Sequence, residues 1–85
     1  MFGTGMIKVY ALTTCARCKA LLAFLRENGQ DFECVNVDQL LGKERREAVK
    51  EVKSVNKRCS FPTVLIGDQV VVGFKEWELR EALGL

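Results

Sequence analysis

The chain contains no histidine. That absence removes His-based general acid–base catalysis, His metal ligands and every Ser/His or Cys/His catalytic pair. There is one proline, and no apolar run approaches the roughly 20 residues of a membrane-spanning helix. Charge of one sign is also scarce: 13 basic residues against 11 acidic ones leave +2, too little to argue for nucleic acid as a partner. The stretch Met1 to Gly5 carries no basic residue and leads into no long apolar segment. No secretory signal is therefore expected, and the expected location is the cytoplasm, with no membrane association.

What is present is ordinary globular composition. Of 85 residues, 48% are hydrophobic and 28% charged, against the low apolar content that disorder requires. A chain of this length hides roughly 60–65% of its unfolded surface and supports one core. The expected organisation is a disordered tail over residues 1–5 and one domain over residues 6–85.

Periodicity orders the chain. Met6 to Leu12 is predicted as a strand, ended by Thr13-Thr14, which offers a helix cap. Ala16 to Asn28 reads as a helix with Cys18, Leu21, Leu22 and Leu25 at helical spacing, stopped at Asn28-Gly29. Phe32 to Val37 is predicted as a nearly apolar strand interior to the sheet. Lys43 to Val55 reads as a helix with a narrow Val49, Val52, Val55 stripe and sign-mixed pairing elsewhere. Pro62 to Ile66 and Gln69 to Val72 are strands joined by Gly67-Asp68, a hairpin signal. Lys75 to Leu83 is a last helix, ended by Gly84. The order β-α-β-α-β-β-α implies a parallel pair with a right-handed crossover, then an antiparallel hairpin.

Nucleophilic chemistry must rest on cysteine, and there are four: Cys15, Cys18, Cys34 and Cys59. Cys15-Ala16-Arg17-Cys18 falls at a strand-to-helix junction, where one helical turn brings both sulfurs to one face. Unpaired backbone N–H groups and the positive end of the helix dipole favour a thiolate at Cys15, with Arg17 and Lys19 adding positive charge. Cys18 lies on the shielded Leu21–Leu22–Leu25 side. An exposed low-pKa cysteine that attacks and a second that displaces the mixed disulfide are what dithiol exchange requires. The competing reading is a metal or iron–sulfur carrier using the same two cysteines across a dimer. A four-cysteine zinc site usually has two close pairs, whereas Cys34 and Cys59 stand alone, so no metal ligands are expected.

With these residues in view the chain resembles the thioredoxin-fold superfamily, and within it the glutaredoxin-like proteins. The resemblance spans Ile7 to Leu83. It rests on Val9-Tyr10 leading to Cys15-Ala16-Arg17-Cys18, on Ser60-Phe61-Pro62-Thr63, and on Val72-Gly73-Phe74 before the last helix. It implies an α/β thioredoxin-like fold, a four-stranded mixed sheet flanked by three helices. It implies that Cys15 is the nucleophile and Cys18 resolves, that Pro62 is cis and faces the cysteines, and that Phe61 offers backbone groups to substrate. Arg17, Thr63, Gly73 and Phe74 complete the expected substrate-positioning set.

Departures from the family pattern narrow the function. Glutathione-using members usually carry lysine three residues before the first cysteine; Leu12 stands there. The usual Pro-Tyr dipeptide is Ala-Arg, and Val72 replaces the first of a glycine pair, followed by Phe74-Lys75-Glu76. The Gly-Phe-basic sequence is similar to NrdH-type redoxins, reduced by a thioredoxin-type reductase. The expectation is a monomeric disulfide reductase with no bound cofactor, supplied by a thioredoxin-type or ferredoxin-linked reductase. Ribonucleotide reductase is one candidate target, and glutathione the candidate co-substrate of the alternative reading.

Other residues have two readings each. Trp77 is a packing residue or a partner-contacting platform. Lys53, Lys57 and Arg58 are a solvated surface or a docking patch for an acidic protein. Cys34 reads as a buried inert thiol. Cys59 is a loop residue with no role, or a third redox thiol that the fold brings up beside Cys15.

Overall fold

The computed structural model describes residues 7–85, so the expected tail over residues 1–5 and the strand position of Met6 lie outside it. The elements run β1 (Ile7–Ala11), α1 (Ala16–Glu27), β2 (Glu33–Asn36), a 3-10 turn (Val37–Gln39), α2 (Gly42–Val55), β3 (Thr63–Ile66), β4 (Gln69–Val72) and α3 (Glu76–Leu83). They form the thioredoxin-like arrangement of a four-stranded sheet in the order β2-β1-β3-β4 and three helices. β1 pairs parallel with β2, while β3 pairs antiparallel with both β1 and β4.

Alternation along the strands builds two cores. Ile7, Val9 and Ala11 of β1 and Val64 and Ile66 of β3 turn to one face, where they meet Cys18, Leu21, Phe24 and Leu25 of α1 and Leu79 of α3. Tyr10 of β1 turns to the other face, with Val37 and with Ala48 and Val52 of α2. β1 is thus covered on both sides, as a central strand must be. Full burial of Leu21, Leu25 and Leu79 stabilises the first core by roughly 1.5–3 kcal/mol each.

Three expectations are corrected. β2 lies at the sheet edge, not in its interior, because β3 takes the other side of β1; Glu33 is exposed and Phe32 stays outside the strand, beneath the Arg26 guanidinium. The buried seam of α2 is Ala48 and Val52, with Val49 half-buried and Val55 39% exposed. At 3.6 residues per turn the i, i+4 pair holds the seam; Val55 falls on the same side of the helix but is its last residue, where the seam runs out. Trp77 is 67% exposed and is not a packing residue, because α3 turns Leu79, with Ala82 and Leu83, to the core.

The turns follow the sequence closely. Gly67 takes the positive φ that the first central residue of a tight hairpin allows, and Ile66 faces Gln69 across it. Gly84 caps α3 in the left-handed conformation. No helix among the described residues is long and apolar enough to cross a membrane.

Candidate active site

The chain leaves β1 at Ala11 and reaches the cysteine pair through Leu12, Thr13 and Thr14. Cys15, not a threonine, caps α1. Its backbone is extended (φ −91°, ψ 116°) and its Sγ accepts the Cys18 N–H at 3.2 Å. A sulfur thus occupies the place where a hydroxyl or carboxylate oxygen usually satisfies an orphan helix donor. Thr13 is engaged elsewhere: its N–H donates to both Asp38 carboxylate oxygens at 3.1 Å, and its hydroxyl donates to the same group.

The two thiols differ sharply. Cys15 is half-buried and Cys18 is 1% exposed. Partial burial raises the Cys15 thiol. The Cys18 thiol, the backbone amides of Cys18 and Arg17 and the Arg17 guanidinium outweigh it, so Cys15 ends below its ordinary 9.0. Burial pushes Cys18 up to about 12, assisted by its hydrogen bond to Cys15 and by the Cys15 and Cys34 charges. Cys34 is half-buried against the same core, and desolvation raises it despite Arg26.

A groove of about 570 Å³ runs beside this junction, lined by Arg17, Arg58, Ser60, Phe61, Val72, Gly73, Phe74 and Lys75. It gathers Arg17, Phe61, Gly73 and Phe74 of the expected positioning set onto one surface. Phe74 is fixed by α1, its ring tilted 60° to Phe24 with centroids 5.8 Å apart. The Phe61-Pro62 peptide is cis, and the Pro62 carbonyl accepts the Gly73 N–H at 2.8 Å, tying two walls of the groove together. β3 begins at Thr63, one residue later than expected. Pro62 and Thr63 are fully buried and do not line the groove. The Thr63 hydroxyl donates to the Ser60 carbonyl at 2.7 Å, so its side chain bears on the groove through the loop and not by contact.

Two residues absent from the sequence-based set hold the loops around the cysteine pair. Asn56, 7% exposed, donates through its side-chain amide to the Ser60 carbonyl, the Ser60 hydroxyl and the Thr63 hydroxyl, and its side-chain carbonyl accepts the Arg58 N–H. It thereby shapes the whole approach to Pro62. Asp38 holds Thr13, two residues before Cys15. Hydrogen bonds from the Thr13 hydroxyl and N–H hold its carboxyl below the ordinary 3.8, with a smaller contribution from Arg45. The available signal was topological: Thr13 and Asp38 both follow the ends of parallel neighbours β1 and β2.

Cys59 packs against the α2-side core of Tyr10, Val37, Ala48 and Val52, whereas Cys15 packs against the α1 core on the other face of the sheet. Among the described residues no group of three or more Cys, Asp or Glu side chains is arranged to hold a metal ion.

Comparison with known proteins agrees with this geometry. The glutaredoxin family model matches residues 7–71. A glutaredoxin-like 8.6 kDa protein of the rubredoxin operon of Clostridium pasteurianum is 35% identical over 78 residues, 92% of this chain and 97% of that one. Methanoredoxin of Methanosarcina acetivorans superposes with a TM-score of 0.91 at 44% identity, over 95% of this chain and 86% of that chain. NrdH-redoxin from Escherichia coli, a glutaredoxin-like protein with a thioredoxin-like activity profile, superposes with a TM-score of 0.72 at 29% identity, over 88% of this chain and 92% of that chain.

Proposed function

The chain belongs to the glutaredoxin family, and from that membership we propose that this redox protein is a thiol–disulfide oxidoreductase that reduces protein disulfides through Cys15 and Cys18. The observation that carries the reading is the asymmetry of the pair. Cys15 caps a helix with its sulfur among hydrogen-bond donors, and Cys18 is buried one turn on.

The Cys15 thiolate attacks one sulfur of the target disulfide. A Cys15–target bond forms, the target S–S bond breaks, and the leaving thiolate takes a proton. Cys18 then attacks the Cys15 sulfur, giving a Cys15–Cys18 disulfide and a dithiol target, with two electrons transferred. Electrostatics favours this order. Burial is the largest cause that raises Cys18 and persists throughout, but the hydrogen bond to Cys15 and the Cys15 charge add to it, and both vanish once Cys15 enters the mixed disulfide. Cys18 is therefore held protonated until it is needed, and its proton passes to the departing thiolate.

The electron supply we propose is a thioredoxin-type or ferredoxin-linked reductase, in the cytoplasm, with no resident cofactor and weak use of glutathione. Supporting this are Leu12, half-buried against the α2 side with Phe61 where a glutathione-holding cation would stand, and Lys75, paired with Glu78 at 3.6 Å. The thioredoxin-like profile of NrdH-redoxin and the rubredoxin operon of the Clostridium relative point the same way. The test is trapping: Cys15→Ser should abolish insulin disulfide reduction, and Cys18→Ser should accumulate mixed disulfides with target proteins. Retained turnover in Cys15→Ser, or trapping through Cys18, would overturn the assignment.

A further inference from the structure

Charge is segregated around α2. At 3.6 residues per turn, Arg45, Arg46, Val49, Lys50 and Lys53 fall on one side of the buried Ala48–Val52 seam, and Glu44, Glu47 and Glu51 fall on the other. Two of these carboxylates are also occupied: Glu47 pairs with Lys43 at 3.9 Å and Glu51 with Lys8 at 3.6 Å. Among the described residues no ion pair engages Arg45, Arg46, Lys50 or Lys53. These four line a trough of about 620 Å³ with Gly42 and Val49. A net charge of only +2 thus conceals a local concentration of unneutralised cations.

The trough does not stand apart from the thiols. At its start, the Asp38 clamp that grips Thr13 feels the Arg45 charge. Beyond its end, the chain continues through Lys57, exposed, to Arg58, which lines the active-site groove with Arg17 and Lys75. The cationic face of α2 is thus linked to the cysteine loop through Arg45 and Asp38, and is followed five residues after Lys53 by a cation of the groove, Arg58.

We propose that the Arg45–Arg46–Lys50–Lys53 face of α2 docks an acidic segment of the protein that exchanges disulfides with Cys15, and so selects acidic partners. This rests on the redox reading above. Cations fixed on a helix beside a reaction groove raise encounter rates for oppositely charged partners and bias their orientation. Lysine and arginine stems over Val49 supply apolar contact as well. A protein occupant is favoured over nucleic acid because the proposed chemistry acts on disulfide-bearing proteins, and a net charge of +2 is too small to favour nucleic acid.

The test compares two disulfide-bridged peptides. Each carries an eight-residue Gly-Ser linker, with an extended reach of roughly 28 Å, ending in six glutamates or six glutamines. At low ionic strength the parent should reduce the glutamate peptide with a kcat/KM roughly tenfold above the glutamine peptide. The advantage should fade as salt rises. It should be lost in Arg46→Gln/Lys50→Gln/Lys53→Gln and inverted in Arg46→Glu/Lys50→Glu/Lys53→Glu, with reduction of the glutamine peptide unchanged. Equal rates for the two peptides in the parent would overturn the proposal, as would an advantage surviving both triple variants. Binding of a 16-mer of deoxythymidine that is lost in the triple variants, with both peptides reduced alike, would overturn it in favour of a nucleic-acid surface. Failure to reduce either peptide would strike the redox reading itself and the docking proposal with it.

Discussion

Sulfur chemistry here is set by which donors surround each thiol. Cys15 is lowered below 9.0, while burial and the neighbouring Cys15 raise Cys18, so near neutral pH Cys15 holds the larger share of thiolate. The thiolate is the form that reacts, and Cys15 is also the more accessible sulfur, so iodoacetamide should alkylate Cys15 faster than Cys18. Peptide mapping after timed alkylation measures the ratio, and faster labelling of Cys18 would reverse the two roles. Asp38 acts one step further out. Its folded pKa is lowered, so its stabilising effect is present above 3.8 and is lost as pH falls through the lowered value. Asp38→Ala should therefore lower Tm at pH 7, with the gap to the parent closing in acid. It should also slow Cys15 alkylation at pH 7, because the Thr13 loop loses its anchor. A gap that is constant with pH would mean that the carboxylate is not the active group.

At the scale of elements, the loop between α2 and β3 is the most organised irregular segment. Asn56 serves four partners from a nearly closed position. Asn56→Ala leaves the Thr63 hydroxyl its bond to Ser60 but strips the loop of its centre. A loss of about 1–3 kcal/mol is expected in urea unfolding, together with a lower kcat/KM for protein disulfides, since Phe61 and Pro62 hang from this loop. Cys59 belongs to the same loop, with φ 51° and its side chain among the α2-side residues. Cys59→Ser should leave turnover, oxidative dimer formation and peroxide sensitivity as in the parent; a change in any of them would restore a redox role. Local signals made much of this legible. The α1 stop at Asn28-Gly29, the Gly67-Asp68 hairpin and the Gly84 cap each depend on a few adjacent residues. Asp38 and Asn56 were not legible, because their meaning lies in partners 25 and 7 residues away. The edge position of β2 escaped for a related reason: apolar content reports that a strand is covered, not which neighbour pairs with it.

For the molecule as a whole, the two-faced sheet decides what the groove can recognise. α1 and α3 cover one face and α2 the other, and Phe61 packs against both cores at the point where the groove opens. Cations line the groove as Arg17 of α1, Arg58 of the α2–β3 loop and Lys75 just before α3, but Leu12, three residues before Cys15, supplies none. A glutathione molecule would find positive charge along the groove and no cation at position 12. The parent supplied with glutathione and glutathione reductase should therefore reduce a small disulfide slowly, and a thioredoxin-type or ferredoxin-linked reductase should drive it faster. Leu12→Lys places a cation at the missing position; its aliphatic stem can keep part of the contact with the α2-side core while the ammonium reaches water. The variant should gain glutathione coupling by roughly two- to fivefold, the worth of one exposed charge pair of about 0.4–1 kcal/mol. Its activity with the protein reductase should hold. Strong coupling of the parent to physiological glutathione would sink this account of the electron supply. A Leu12→Lys variant no better than the parent would mean that Leu12 is not what keeps glutathione out.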